Sequence, residues 1–90
     1  MRVTEAVLKE TIGELNLLLG LPKEARDEQT NRWIKNAYDL RYINDGYYVV
    51  RLKTATTGAI DKVSPDILHT PKEVYSWLLG VIQGIILVTN

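Results

Sequence analysis

The sequence predicts a small α+β domain in which two helices pack on one face of a small antiparallel sheet, in α-β-β-α order. Apolar residues recur with helical spacing near both ends of the chain, and in the middle they alternate with polar residues. A turn signal, Asn44-Asp45-Gly46, divides that middle segment. Because 90 residues is the size of one domain, we expect residues 1–90 to share a single core.

The first helix is predicted over residues 5–19. Thr4 suits the N-cap position, and Gly20 and Pro22 are typical of the residues that follow a helix C-terminus. The polar segment 23–31 is predicted to be a connecting loop. One helical stripe carries the apolar side chains Val7, Leu8, Ile12, Leu15, Leu18 and Leu19.

The strands on either side of the turn predict a hairpin whose register depends on the loop. A two-residue loop of Asp45 and Gly46 would place Leu40 opposite Arg51, which mixes apolar and charged side chains on one face. A three-residue loop over 44–46, with Gly46 left-handed and a bulge, pairs Leu40 with Val50 instead. We therefore predict the three-residue loop. Its other pairs are Tyr42 with Tyr48, Tyr38 with Leu52, and Asp39 with Arg51.

A second helix is predicted from the capping box of Thr70 and Glu73, with Pro71 at the first helical position, to about residue 87. Before it, residues 59–63 are expected to form a short third strand. In the predicted core, the hairpin residues Tyr38, Leu40, Tyr42, Tyr48, Val50 and Leu52 meet the helix residues Leu8, Ile12, Leu15, Leu78, Val81, Ile82 and Ile85.

The second helix is predicted to be too short for a membrane span, because a bilayer needs ~20 apolar residues. Between Val74 and Val88 its polar or small residues are Ser76, Gly80, Gln83 and Gly84, which share one face. Two interpretations stay open. The face is either the solvent side of a core helix or a homodimer face.

A candidate partner-binding patch lies on the predicted outer face of the hairpin, at Ile43, Tyr47, Val49 and Arg51. Apolar, tyrosine and arginine side chains are enriched at protein interfaces. In the alternative interpretation, residues 55–63 or the loop before Trp33 cover this patch.

The residues that carry enzymatic or metal chemistry are few. There is no Cys, and His69 is the single histidine, so a typical zinc site is not expected. Asp61 and Asp66 lack the spacing of an EF-hand loop. Neither Ser64 nor Ser76 lies in a nucleophile-elbow motif, and the chain has no phosphate-binding glycine motif. We expect a non-enzymatic protein without a cofactor or metal.

Charge and composition bear on partners and location. Eleven basic and eleven acidic residues give no net charge, which disfavours nucleic acid as the main ligand. A basic-aromatic surface remains the alternative; it would use Arg32, Lys35, Arg41, Arg51 and Lys53 with Tyr47. The N-terminal residues lack the apolar run of a signal peptide, so we expect a cytoplasmic protein.

Short motifs resemble a group of small uncharacterised proteins that bacteriophages and prophages encode. They are the segments 18–22, 38–42, 49–52, 63–65 and 72–75, with Gly46 and Gly58. The resemblance implies a phage-related origin and no mechanism. The expected function is that of an accessory or adaptor protein that acts through protein contacts as a homodimer, and the alternative is a small nucleic-acid-associated regulator.

Overall fold

The computed structural model describes residues 2–44, 46–57, 59–65, 68 and 70–89. Strands β1 and β2 form a two-stranded ribbon, and β3, β4 and β5 form an antiparallel sheet in that order. The predicted α+β class and third strand are confirmed, whereas the ribbon lies in and just after the segment predicted as a loop. In chain order the elements are α1 (Glu5–Leu18), β1 (Arg26–Asp27), β2 (Arg32–Trp33), β3 (Tyr38–Ile43), β4 (Gly46–Leu52), β5 (Ile60–Lys62) and α2 (Pro71–Thr89).

Both ends of α1 are formed as predicted. At its start, the Thr4 hydroxyl oxygen accepts a hydrogen bond from the Val7 N–H at 3.3 Å. At its end, Gly20 is left-handed, with a φ of 76°. The Leu21 N–H then donates to the Asn16 carbonyl at 2.9 Å, and the Gly20 N–H donates to the Leu17 carbonyl, which together make a Schellman motif.

Helix α2 begins with the predicted capping box. The Glu73 N–H donates to the Thr70 hydroxyl at 3.2 Å, and the Thr70 N–H donates to a Glu73 carboxylate oxygen at 3.1 Å. Each residue therefore satisfies a backbone donor of the other, which fixes the start of the helix.

The predicted hairpin register is wrong by one residue. Leu40 pairs with Val49, Tyr42 with Tyr47, and Ile43 with Gly46, so two residues, 44 and 45, connect the strands. The left-handed residue described in this turn is Asn44, with a φ of 50°, and Gly46 belongs to β4. The predicted pair of Asp39 and Arg51 is also wrong, because Asp39 is opposite Val50. Asp45 lies outside the described residues.

Both faces of the sheet are covered, and the helices cover one of them. There, Leu40 and Val49 pack with residues of both helices in the main core. The predicted helix contributions are all part of this core. Its buried members are Leu8, Ile12, Leu15, Leu40, Val49, Val74 and Leu78, with Val81, Ile82 and Ile85 packed against them.

The ribbon and its flanking residues cover the other face. Leu52 packs there with Ala25 and Ala37, and Trp33 and Ile60 lie against this second cluster. Tyr48, Val50 and Leu52 were predicted in the helix-side core and are on the opposite face instead, because the register differs by one residue. Tyr42, also predicted in the core, is 61% exposed.

Candidate interaction surfaces

From Ser76 to Leu87 the outward side of α2 has no charged side chain, whereas the exposed Lys72 and Glu73 lie on the same side in the first turn. We define the α2 outer face as Ser76, Leu79, Gly80, Gln83, Gly84 and Leu87, all of which are exposed and lie within one sector of the helix. Leu79 is 41% and Leu87 77% exposed, and the neighbouring Val88 is 86% exposed. A helix with one buried side would normally place charged residues here.

The four residues predicted for a dimer face, Ser76, Gly80, Gln83 and Gly84, are brought together on this surface. Apart from the backbone of α2 itself and the adjacent residues, no heavy atom in the described part of the chain lies within 4 Å of the position that a side-chain carbon would take on Gly80 or Gly84. The backbone of α2 is therefore accessible along this line. The sequence reasoning missed that Leu79 and Leu87 extend the face, although Leu79 lies three residues after Ser76 and Leu87 three residues after Gly84.

The predicted patch of Ile43, Tyr47, Val49 and Arg51 does not form one exposed surface. Val49 is fully buried in the main core, and Tyr47 packs against that core. Ile43 lies on the opposite face of the sheet, and Arg51 is at the far end of β4 from the turn. The grouping followed from the incorrect register, which exchanged the two faces of β4.

On the ribbon side of the sheet, the Trp33 ring is close to two arginines. The guanidinium carbons of Arg26 and Arg41 are 5.4 and 5.1 Å from the centroid of its ring. Arg41 Nε donates to Asp39 at 3.2 Å, while the buried Arg41 Nη2 has no hydrogen-bond partner in the described part of the chain. The Trp33 ring offers this guanidinium a cation–π contact in place of an acceptor. The cluster thus attaches the ribbon to β3.

Three of the five basic side chains considered for nucleic-acid binding are in ion pairs. Arg41 pairs with Asp39, and both Arg51 and Lys53 lie within 4 Å of an Asp61 oxygen. Tyr47 is on the helix side of the sheet, away from Arg41. These residues do not form a continuous basic surface.

A slot of about 520 Å³ runs along the outer edge of β3. Residues of α1, including Ala6, Lys9 and Ile12, line one wall, and Arg26 and Trp33 of the ribbon line the other. The floor is formed by Tyr38, Asp39 and Leu40. We call this the edge slot.

The Lys23 side chain crosses one end of the edge slot. Its ammonium nitrogen donates to Glu10 at 2.9 Å, and its aliphatic carbons lie over Gly13 of α1. The hydrogen bond from Lys23 to Glu10, and then the charge of that carboxylate, raise the pKa of Lys23 above its ordinary 10.5. This pair links the segment before the ribbon to α1.

Comparison with protein families, curated proteins and solved structures found no match for this chain. The phage-related origin therefore stays a prediction from short motifs.

The hydroxyl and metal-ligand candidates have the following positions. The Ser64 hydroxyl accepts from the Val49 N–H at 2.9 Å and is buried, so it satisfies a strand rather than facing a cavity. Ser76 is exposed on the α2 outer face. His69 and Asp66 lie outside the described residues. Within the described ranges, no three His, Cys, Asp or Glu side chains are grouped as a metal site would require.

Helix α2 was considered as a membrane span because of its apolar composition. No helix in the described part of the chain combines the length and hydropathy that crossing a bilayer requires.

Proposed function

We propose that this domain is a non-enzymatic accessory or adaptor protein that acts through protein contacts and forms a homodimer through the α2 outer face. A phage or prophage origin and a cytoplasmic location belong to the same proposal. The observation that carries it is the exposed, uncharged face of α2, which includes Leu79 and Leu87.

Exposed apolar side chains that adjoin one another favour an interface over a solvated surface, because covering them removes apolar area from water. Between Val74 and Val88 the sequence has no Asp, Glu, Lys or Arg. A helix face that contacts only solvent usually carries charged residues, whereas this face has none over four turns.

A second copy of the chain is the partner that this face fits best. In a twofold dimer the same surface meets itself, so any charged residue near the axis would face its own copy. The α2 outer face carries no charge that would repel its copy. Gly80 and Gly84 are one helical turn apart and would allow two α2 helices to approach closely.

Molar mass measured by light scattering over a concentration series tests this proposal. We expect the wild-type protein to approach twice the 10.2 kDa of one chain as concentration rises. The substitution Gly80→Glu should hold the mass at one chain, because it places a charged side chain where the two helices would meet. A single-chain mass for the wild type at millimolar concentration would rule out the homodimer.

The Gly80→Glu variant should remain folded. Gly80 has open space around it, and glutamate favours a helix over glycine by about 0.5–1 kcal/mol. Gln29→Glu is the matched control, since it adds the same charge at an exposed position in the ribbon turn. The Gln29→Glu variant should have the same molar mass as the wild-type protein at each concentration.

The nucleic-acid alternative stays a prediction. It requires salt-dependent binding to single-stranded DNA or RNA. The ion pairs that Asp39 and Asp61 make with the basic side chains do not favour it.

A further inference from the structure

The outer edge of β3 presents backbone groups at the floor of the edge slot. The Leu52 N–H donates to the Ala37 carbonyl at 2.9 Å, which sets the alternation of the antiparallel ladder. Peptide groups of the odd-numbered β3 residues point to β4, and those of Tyr38, Leu40 and Tyr42 point away from it. The last three therefore face the open edge.

One of these three residues is already satisfied from within the chain. The Asn16 side chain accepts from the Tyr38 N–H at 2.8 Å and donates to the Tyr38 carbonyl at 3.0 Å. The ion pair of Lys23 and Glu10 crosses from the ribbon side to α1 near the same end. The edge slot is therefore closed at Tyr38 and open at Leu40, and the outer edge of β3 continues past the slot to Tyr42.

We propose that the edge slot binds an extended segment of a partner protein, which adds to β3 as a further strand and carries an acidic side chain toward Arg26. The outward groups of Leu40 and Tyr42 repeat about every 6.6–6.8 Å, the two-residue spacing of a strand. An extended main chain has donors and acceptors at the same spacing, and strand addition of this kind is a recurrent mode of peptide recognition.

The walls of the slot determine which side chains would fit. In an added strand, successive side chains point alternately to α1 and to the ribbon. The α1 wall offers Ala6 and Ile12, which suit an apolar side chain. Three carboxylate residues also line the slot, and two of them are paired, Glu10 with Lys23 and Asp39 with Arg41; the third is Glu24. Arg26 of the ribbon wall stands over Trp33 and hydrogen-bonds to the Asn31 side chain, with no carboxylate partner among the residues described. An Asp or Glu would complement this guanidinium.

A free segment fits the slot better than β3 of a second copy. Because α1 and the ribbon flank the floor on both sides, β3 is recessed, and Leu40 is buried despite its position on an edge strand. The β3 edge of a second copy is recessed in the same way, so the two edges could not meet. This site is separate from the α2 outer face and does not depend on the homodimer.

A labelled hexapeptide that alternates valine with aspartate is a suitable probe, with binding followed by fluorescence anisotropy up to ~1 mM peptide. We expect saturable binding to the wild-type protein. The same peptide with N-methyl groups on alternate peptide nitrogens should bind at least about tenfold more weakly, because it lacks the donors for β3. A peptide with lysine in place of aspartate should also bind about tenfold more weakly, because Arg26 would repel it.

Two variants of Tyr42 test the edge itself. Tyr42→Pro removes the outward N–H at a position where an edge strand tolerates proline, while Tyr42→Thr keeps it. Both remove the Tyr42–Tyr47 ring contact, so they are matched. Tyr42→Thr should bind the hexapeptide within about threefold of the wild type, and Tyr42→Pro at least about tenfold more weakly.

The proposal is overturned if the wild type does not bind the valine–aspartate peptide by ~1 mM, or if the N-methylated peptide binds equally well. A wild-type dimer that Tyr42→Pro alone converts to a monomer would also overturn it, by assigning the edge to a second copy. Equal binding of the lysine peptide would remove the acidic requirement. If Tyr42→Pro does not fold, the N-methylated peptide still decides the question, since it uses the unaltered protein.

Discussion

The side-chain amide of Asn16 binds both backbone polar groups of Tyr38, a residue 22 positions further along the chain. The same amide nitrogen also donates to the Lys23 carbonyl at 3.2 Å. Asn16 is fully buried in α1, where a polar side chain is costly unless it is hydrogen-bonded. Asn16 therefore satisfies the backbone donor and acceptor at this end of β3, as a neighbouring strand would.

We expect Asn16→Ala to lower the free energy of unfolding by about 2–4 kcal/mol, because it removes three hydrogen bonds made by a fully buried side chain. Urea denaturation measures this loss, and faster hydrogen exchange of the Tyr38 amide would locate it. Glu14→Ala, at an exposed position of the same helix, should change stability by less than about 0.5 kcal/mol. Equal effects of the two substitutions would show that the Asn16 contacts are unimportant for stability.

The register of the hairpin gives a second prediction. Leu40 and Val49 face each other as a non-hydrogen-bonded pair, and their Cα atoms are expected about 4.5 Å apart. A strong Hα–Hα nuclear Overhauser effect should therefore connect Leu40 with Val49, and another should connect Tyr42 with Tyr47. A Leu40–Val50 contact of this kind would restore the register that the sequence predicted.

Burial of Leu40 can be tested separately. Leu40→Ala should cost about 2–5 kcal/mol of unfolding free energy, because the side chain belongs to the main core. Tyr42→Ala is the comparison on the same strand and face, and its exposed side chain should cost less. The order of the two losses, measured by thermal or urea unfolding, would be reversed if Leu40 were at the surface.

Local signals in the sequence predicted local structure correctly. Thr4, Gly20, and the pair of Thr70 and Glu73 act through atoms within four residues, so their effect does not depend on the rest of the fold. The contact of Asn16 with Tyr38 could not be found in this way. An asparagine in a helical pattern indicates a solvent-facing position unless its distant partner is known.

The register failed for a physical reason. The run Tyr47-Tyr48-Val49-Val50 is apolar on both faces, because helices cover one side of β4 and the ribbon covers part of the other. Alternation identifies a buried face when the opposite face is in solvent, and here that condition does not hold. The ribbon that creates the second cover has strands of two residues each, too short for a periodic signal.

Three asparagines of the sequence carry a further turn signal. Asn31, Asn36 and Asn44 all have positive φ, between 50° and 72°. Asparagine is the residue other than glycine that most readily adopts this conformation. Asn44 therefore favours a two-residue turn of residues 44 and 45, which begins one residue earlier than a turn of Asp45 and Gly46. For the candidate sites, the sequence located the polar and glycine part of the α2 outer face, but the edge slot depends on three elements that meet only in the fold.

The ion pair of Lys23 and Glu10 predicts a pH effect. The pKa of Lys23 is raised in the folded protein, so Lys23 keeps its proton to higher pH there than in the unfolded chain. The contribution of the pair to stability is therefore complete below pH 10.5 and is lost as the pH rises through the raised pKa. NMR titration of the Lys23 side chain should show that Glu10→Gln lowers its pKa toward 10.5.

Glu5→Gln is the matched control for that titration. It removes the carboxylate that lies 3.5 Å from Lys9 and does not touch Lys23. The pKa of Lys23 should be the same in this variant as in the wild type. If Glu10→Gln and Glu5→Gln leave Lys23 equally unchanged, Glu10 is not the cause of the shift.

The attachment of the ribbon to the sheet depends on Trp33, and a graded series tests this. Trp33→Phe keeps an aromatic ring with a weaker attraction for cations, and Trp33→Leu removes the ring. Because Trp33 is partly exposed, we expect losses of about 0.5–1 kcal/mol for phenylalanine and about 1–3 kcal/mol for leucine. The Ile34 amide, which donates to the Ala25 carbonyl at 2.7 Å, should exchange its hydrogen faster in the same order.

If Trp33 holds the ribbon against β3, the faster hydrogen exchange should be confined to the ribbon. Amides of Asp39 and Val50, which pair within the sheet, should keep their protection in both variants, and Trp77 fluorescence should report an unchanged helix layer. A uniform loss of protection across the sheet would instead place Trp33 in the global core. Equal stability of the phenylalanine and leucine variants would show that apolar contact suffices and that the guanidinium groups of Arg26 and Arg41 gain nothing from the ring.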